Sequence, residues 1–311
     1  MSEFPHLIEA YLAECDANTA ERLRKGYRDA QMRPTTLRAN TLKASKHEVA
    51  AALREAGIAF ERVPWYEDAF VLPDTLNSKD LWGLEIYQRG GIYLQSLSSM
   101  LPPLAFGSMG TSDILDMCAA PGGKTSQLAA LNPHAHITAC ELKGIRAEKL
   151  KHNLNKQGAH NVIVMKTDAR KLDSFFSFDA ILLDAPCTGS GTYRAHDVQH
   201  GARITPALLA KVLKSQQALL ERGLSILKPG GTLIYSTCSI LPAENDTMVQ
   251  SVLAKKRFSS YSIKPVLADE IWRSGSYPLP LIDDTRNLQT VSLAPSKYFE
   301  GFYLARIVRE A

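Results

Sequence analysis

Two cysteines stand in short motifs that follow apolar, β-like runs: Asp184-Ala185-Pro186-Cys187 and Ser236-Thr237-Cys238-Ser239. Both lie downstream of a glycine-rich turn, Asp116-Met117-Cys118-Ala119-Ala120-Pro121-Gly122-Gly123-Lys124-Thr125. A nucleotide-type turn with two thiols aimed at one pocket suits methyl transfer to C5 of a pyrimidine. That carbon is a poor nucleophile. A thiolate that adds to C6 makes C5 enamine-like and splits one hard step into easier ones. A base must then remove the C5 proton so that the thiol can leave, and an acid near N3 keeps the ring electron-poor. Asp184, Cys187 and Cys238 meet that requirement, although buried cysteines are commonly inert core residues. Packing suits Cys15 and Cys140 better, which lie in a helix and mid-strand, and Cys118 reads as packing or shaping of the turn.

The turn itself discriminates between nucleotides. A P-loop needs a glycine where Cys118 stands, so Gly123-Lys124-Thr125 is not a Walker motif. The dinucleotide fingerprint G-x-G-x-x-G is absent too. The looser first turn of methyltransferases that use S-adenosylmethionine (SAM) remains. Asp116 ends the first strand of the alternating pattern. Glu141 ends the second, 25 residues on, where a carboxylate can accept from ribose hydroxyls. Asp168 ends the third, where it can accept from the adenine amino group. Any one of these acids alone could be a helix cap; together they predict a nucleoside site. The expected cofactor set is Cys118, Ala119, Ala120, Pro121, Gly122, Gly123, Lys124, Glu141, Arg146, Asp168 and Asp184.

The positioning elements read as an α/β chain. Strands are predicted at 114–117, 136–141, 162–167, 179–184 and 232–236, with helices over 125–131, 145–157 and 206–227. The continuous apolar run Ala180-Ile181-Leu182-Leu183 predicts burial on both faces, as in a parallel sheet. The fold expected is a Rossmann-like, doubly wound methyltransferase sheet with its site at the C-terminal strand edge. Ahead of it, residues 33–90 read as a small α+β domain that resembles part of a ferredoxin-like, RNA-binding module. Strands are expected near 36–42, 60–63 and 69–72, and Ser45 with Glu48 forms a capping box. Residues 4–30 read as helical. The division expected is 1–32 as a helical segment, 33–90 as the small domain and 91–311 as the catalytic domain.

Bulk properties set bounds. Across 311 residues, 45% hydrophobic content suffices for a core, and the net charge of +4 is only mildly basic. Residues 22–46 nevertheless carry eight basic side chains, Arg22, Arg24, Lys25, Arg28, Arg33, Arg38, Lys43 and Lys46, against the single acid Asp29. Such a stretch can bind phosphates by releasing counterions or can be a solvated helix face followed by a strand. The five cysteines form no C-x-x-C pair, which argues against zinc and against a disulfide framework. No apolar run reaches the roughly 18–20 residues of a membrane span, and residues 1–5 do not read as a signal peptide. A soluble, cytoplasmic, metal-free monomer is the expectation.

The stretches 116–125, 184–192 and 236–239 resemble the NOL1/NOP2/Sun (RsmB/NOP) family of RNA cytosine-5 methyltransferases. Leu37-Arg38-Ala39-Asn40-Thr41-Leu42 is similar to that family's N-terminal Arg-x-Asn motif. Residues 93–100, Lys228-Pro229-Gly230-Gly231 and Ala243-Glu244-Asn245-Asp246 also fit, so the similarity covers about 33–311. The resemblance implies that Cys238 is the nucleophile and that Cys187 assists proton removal and product release. It also implies that Asp184 holds the target cytosine and that Lys124 lies beside cofactor and base. Without it the two thiols could not be ordered. RNA (tRNA or rRNA) is the expected partner, with Arg38 and Asn40 as RNA contacts and Arg38 on the RNA backbone. The loop Ala195–Arg203 departs from the family pattern, which puts substrate recognition there in doubt. A small-molecule SAM methyltransferase, a non-catalytic RNA-binding protein of the same fold and a DNA methyltransferase are the competing readings; the last lacks an evident target-recognition domain.

Overall fold

A computed structural model describes residues 3–267, 271, 276–282 and 289–311. Two sheets organise it. The first contains β1 (Thr36–Ala39), β2 (Glu61–Val63), β3 (Tyr66–Val71) and β4 (Ile92–Leu94), in the order β2-β3-β1-β4 with antiparallel pairing throughout. A helix over Lys46–Glu55 crosses between β1 and β2, and the expected capping box of Ser45 and Glu48 starts it. Between β3 and β4 stand a 3-10 turn, Ser78–Leu81, and a one-turn helix, Glu85–Gln88. Strand β4, just past the boundary expected at residue 90, closes this sheet against β1. The signal was hidden by shortness: three residues give too little alternation to read.

The second sheet holds β5 (Asp113–Asp116), β6 (His136–Cys140), β7 (Val162–Met165), β8 (Phe178–Asp184), β9 (Leu227–Thr237), β10 (Tyr261–Lys264), β11 (Thr290–Leu293) and β12 (Phe302–Arg309). Its order is β10-β12-β9-β8-β5-β6-β7, with β11 paired on β12. Strands β5 to β9 are parallel to their neighbours, and β12 inserts antiparallel beside β9. The apolar run in β8 is buried as predicted. Ala180 and Leu182 enter the core on one face, and Ile181 and Leu183 enter the core on the other. That division follows from the period-two geometry of a strand. The chain builds β5, β6 and β7 outward, then crosses back to place β8 on the other side of β5. This reversal opens a crevice at the C-terminal ends of β5 and β8.

The helical run expected over 4–30 is two helices, His6–Glu14 and Ala17–Asp29. Asp16 separates them, because its carboxylate accepts from the backbone N–H of Asn18 and Thr19 and caps the second. Their apolar stripe, including Ile8, Leu12, Leu23 and Tyr27, packs on Tyr193, Ala195 and Ile240 of the larger unit. The Tyr27 hydroxyl donates to the carbonyl of Ser190 at 3.0 Å, behind one thiol loop. Among the described residues no helix is long and apolar enough to cross a membrane.

Candidate active site

Strands β8 and β9 run parallel with Asp184 opposite Ser236. The segments that follow, Pro186-Cys187 and Thr237-Cys238, therefore leave the sheet at the same edge. The two Sγ atoms are 3.1 Å apart. Asp184 sits beside them: its Oδ1 accepts from Ser236 Oγ at 2.8 Å and its Oδ2 from Lys124 Nζ at 2.7 Å. Burial disfavours the Lys124 ammonium, but the Asp184 carboxylate outweighs that penalty, helped by Cys238, and the pKa is raised. The Cys187 thiol is also pushed well up. The hydrogen bond with Cys238 contributes most, then burial, then the charges of Cys238 and Glu244.

The glycine-rich turn brings the cofactor side of the crevice close. Gly122 has φ 107°, a conformation that glycine adopts without penalty. Asp116 accepts from Thr125 Oγ1 at 2.7 Å and from the N–H of Cys118 at 3.2 Å, which fixes the entry of the turn. Burial drives the Asp116 carboxyl up to about 6, against the Thr125 hydrogen bond. A Cβ on Gly123 would lie 2.9 Å from the Tyr93 ring, so β4 of the small sheet packs directly on the turn. Asp116, Cys118, Ala119, Ala120, Pro121, Gly123, Lys124, Asp184 and Cys238 line one cleft of about 320 Å³. Gly122, Glu141, Arg146, Asp168 and Cys187 stand outside that lining. Arg146 still donates to the carbonyl of Ala120 at 2.7 Å and faces Glu141 at 3.4 Å. Asp168 is gripped by Arg170 at 2.7 Å, whose hydrogen bonds hold its pKa low.

Arg38 and Asn40, the RNA contacts expected from the resemblance, are both fully buried and spend their donors inside the protein. Arg38 Nε donates to Gln95 Oε1 at 2.9 Å, and its Nη2 donates to Ser126 Oγ at 2.8 Å and to the carbonyl of Gly123 at 3.1 Å. Its guanidinium also lies 5.3 Å from the Tyr93 ring centroid. Asn40 Nδ2 donates to the carbonyls of Gly90 and Gln157 at 2.8 and 2.6 Å. The motif thus ties the small sheet to the cofactor turn and to the helix Gly144–Gln157. The remaining cations of 22–46 also have partners in the chain. Arg28 pairs with Glu3, Lys25 with Asp29, Arg24 with Glu9 and Lys46 with Glu67. Arg33, Arg22 and Lys43 donate to backbone carbonyls.

Beneath the thiols lies a buried polar network that chemistry-first reading missed. Glu244 accepts from the N–H and hydroxyl of Thr188, from Gln216 and from the Ser239 hydroxyl. The available signal was positional, since Thr188 and Ser239 each follow a cysteine directly. Tyr93, Gln95, Thr192, Glu300 and Phe302 also line the cleft. Phe302 was missed because it reads as an ordinary core aromatic of β12.

The sheet order, the acids at the ends of β5 and β8 and the glycine turn define the Rossmann-like class of SAM-dependent methyltransferases. The two adjacent thiols narrow that class. Residues 107–308 match the 16S rRNA methyltransferase RsmB/F family and residues 7–78 its ferredoxin-like domain, so the chain belongs to the RsmB/F methyltransferase family. It is 38% identical over 231 residues to ribosomal RNA small subunit methyltransferase F of Aeromonas salmonicida, covering 71% of this chain and 48% of that protein. The Shewanella amazonensis protein of the same name is 34% identical over 284 residues, covering 89% of this chain and 58% of its own length. A crystal structure titled as a methyltransferase homolog protein from Pyrococcus horikoshii superposes with TM-score 0.73 at 33% identity, covering 93% of this chain and 89% of that one. The chain spans about half the length of the Aeromonas relative.

Proposed function

We propose that this chain methylates C5 of a cytosine in RNA through a transient bond between Cys238 and C6. The observation that carries the reading is the 3.1 Å approach of two thiols beside the Lys124–Asp184 pair and a nucleotide-type turn. SAM, when bound, supplies an electrophilic methyl group. The donor set fits it. Glu141 is buried; its Oε1 accepts from the N–H of Lys143 at 2.8 Å and its Oε2 faces Arg146 at 3.4 Å, which leaves lone pairs for ribose hydroxyls. Asp168, held by Arg170, is the candidate for the adenine amino group, and the backbone at Gly122–Gly123 admits the amino-acid end.

In this reading Cys238 is the nucleophile because it lines the cleft beside Lys124, whereas Cys187 sits behind it. Asp184 holds the cytosine edge, and Cys187 assists loss of the C5 proton and release of Cys238. The base must leave its stack to reach a thiol inside a cleft. Exposed cations on the helix Gly144–Gln157, Arg146 and Lys149 among them, stand on the turn side of the molecule and suit the RNA backbone. The substrate to try first is small-subunit rRNA, the RNA named for the relatives. The enzyme acts as a cytoplasmic monomer, with the small domain and the catalytic face sharing RNA recognition. Incubation with rRNA and SAM followed by bisulfite sequencing is expected to reveal new 5-methylcytosine. No new mark on rRNA, tRNA or total RNA would refute the reading.

A further inference from the structure

We propose that Glu244 is the positioning residue that fixes both thiol loops and places its charge behind Cys187. The inference rests on the two-thiol reading above and adds what orders the thiols. Glu244 is fully buried, and among the described residues its hydrogen-bond partners include no cation. A buried carboxylate without a counter-ion is costly unless it is fully hydrogen-bonded. Here its oxygens converge four donors from three segments. The N–H of Thr188 lies at 2.9 Å, the Thr188 hydroxyl at 2.6 Å and Gln216 Nε2 at 3.1 Å, and the Ser239 hydroxyl completes the set. Gln216 also donates to the carbonyl of Pro186 at 3.0 Å, so the residues on both sides of Cys187 are held. Ser239 is held in turn through Ser190 Oγ at 2.8 Å, and the neighbouring Asn245 donates to its carbonyl at 2.9 Å. The loop after β8 and the loop after β9 thus hang from one acceptor-only group, and this sets the Sγ–Sγ approach.

A neutral amide could accept some of these bonds, but it would bring donors against donors and would carry no charge. The charge has a distinct effect. The groups acting on Cys187 are Cys238, the Glu244 carboxylate, the backbone N–H of Gly189 and the hydroxyl of Tyr235, which burial keeps protonated. Lys124, the cation of the cleft, stands beside Cys238 and Asp184. An anion lies behind Cys187 and an ammonium beside Cys238, so before attack the charge disfavours a thiolate at Cys187. The sequence left this order open, and the family resemblance alone supplied it.

The test reads thiol chemistry and needs no RNA. In a Cys238→Ala background, alkylation of Cys187 by iodoacetamide is followed across pH by mass spectrometry, with and without Glu244→Gln. Removing the charge is expected to speed alkylation at pH 8 several-fold, since it takes away one of the influences that disfavour the Cys187 thiolate. Thr188→Val, which keeps the charge and loses one bond, should leave that rate within twofold. With Cys238 restored, Thr188→Val should lower kcat several-fold while KM for SAM holds. Should Glu244→Gln fail to fold, Glu244→Asp retains the charge and withdraws the oxygens. It is expected to lower kcat with Cys187 still slow to alkylate. Alkylation of Cys187 that is unchanged by folded Glu244→Gln would overturn the electrostatic role, and full kcat in Thr188→Val or Glu244→Asp would overturn the positioning role. Absence of any methylated RNA would count against the two-thiol reading and leave the alkylation result standing.

Discussion

Replacing Arg38 with methionine removes a buried fork that joins β1 to the cofactor turn while keeping most of the side-chain length. Three acceptors lose their charged donor, Gln95 Oε1, Ser126 Oγ and the carbonyl of Gly123. Each orphaned buried acceptor costs about 1–3 kcal/mol. Relief from burying a guanidinium offsets part of this, so a net loss of roughly 2–5 kcal/mol is expected. With about 2.1 cal/mol/K of unfolding entropy per residue, that corresponds to a Tm lower by roughly 3–8 °C. The turn is loosened at the same time, since Ser126 Oγ bonds both Arg38 and the carbonyl of Gly122. Calorimetric titration with S-adenosylhomocysteine should show affinity reduced about tenfold, or about 1.4 kcal/mol. RNA affinity measured across salt concentrations should keep its slope. A phosphate contact by Arg38 would give the opposite pattern: unchanged Tm and cofactor affinity, with the salt slope smaller by about 1. That result would refute the clamp.

Asp116 titrates in the fold near 6, above its ordinary 3.8, because burial penalises its charged form. The stability it lends is therefore present below about pH 4 and lost as pH rises through 6. Asp116→Asn should raise Tm relative to the parent at pH 7.5, by up to roughly 3 kcal/mol of stability, and the gain should vanish at pH 4. A gain of equal size at both pH values would contradict this assignment. A Cβ at Gly191 would lie 2.0 Å from the carbonyl oxygen of Gly301, and the Gly191 N–H donates to the carbonyl of Cys238 at 3.0 Å. Gly191→Ala is expected to cost 1–3 kcal/mol or more, on the order of overpacking a rigid site, and to lower kcat. Urea unfolding and initial rates check both.

The parallel strands were legible because burial on both faces leaves unbroken apolar runs, as in Ala180–Leu183. Their parallel pairing was legible because strand–helix alternation forces it. The thiols and Asp184 were legible because each ends such a run. Four features escaped. Strand β4 is too short to show alternation. Asp16 divides one helical run through a hydrogen bond that periodicity does not register. Arg38 reads as a surface cation, since a guanidinium is rarely fully buried unless paired; only the fold reveals that Gln95, Gly123 and Ser126 converge on it. Glu244 escaped for the same reason, as its donors come from segments distant in sequence.

The central claim is that the two thiols 3.1 Å apart play unequal parts, with Cys238 attacking and Cys187 releasing. Denaturing electrophoresis of each alanine variant after incubation with RNA and SAM tests it most directly. The account predicts a covalent RNA–protein band that accumulates with Cys187→Ala and is absent with Cys238→Ala. A band that accumulates with Cys238→Ala and is absent with Cys187→Ala would contradict it.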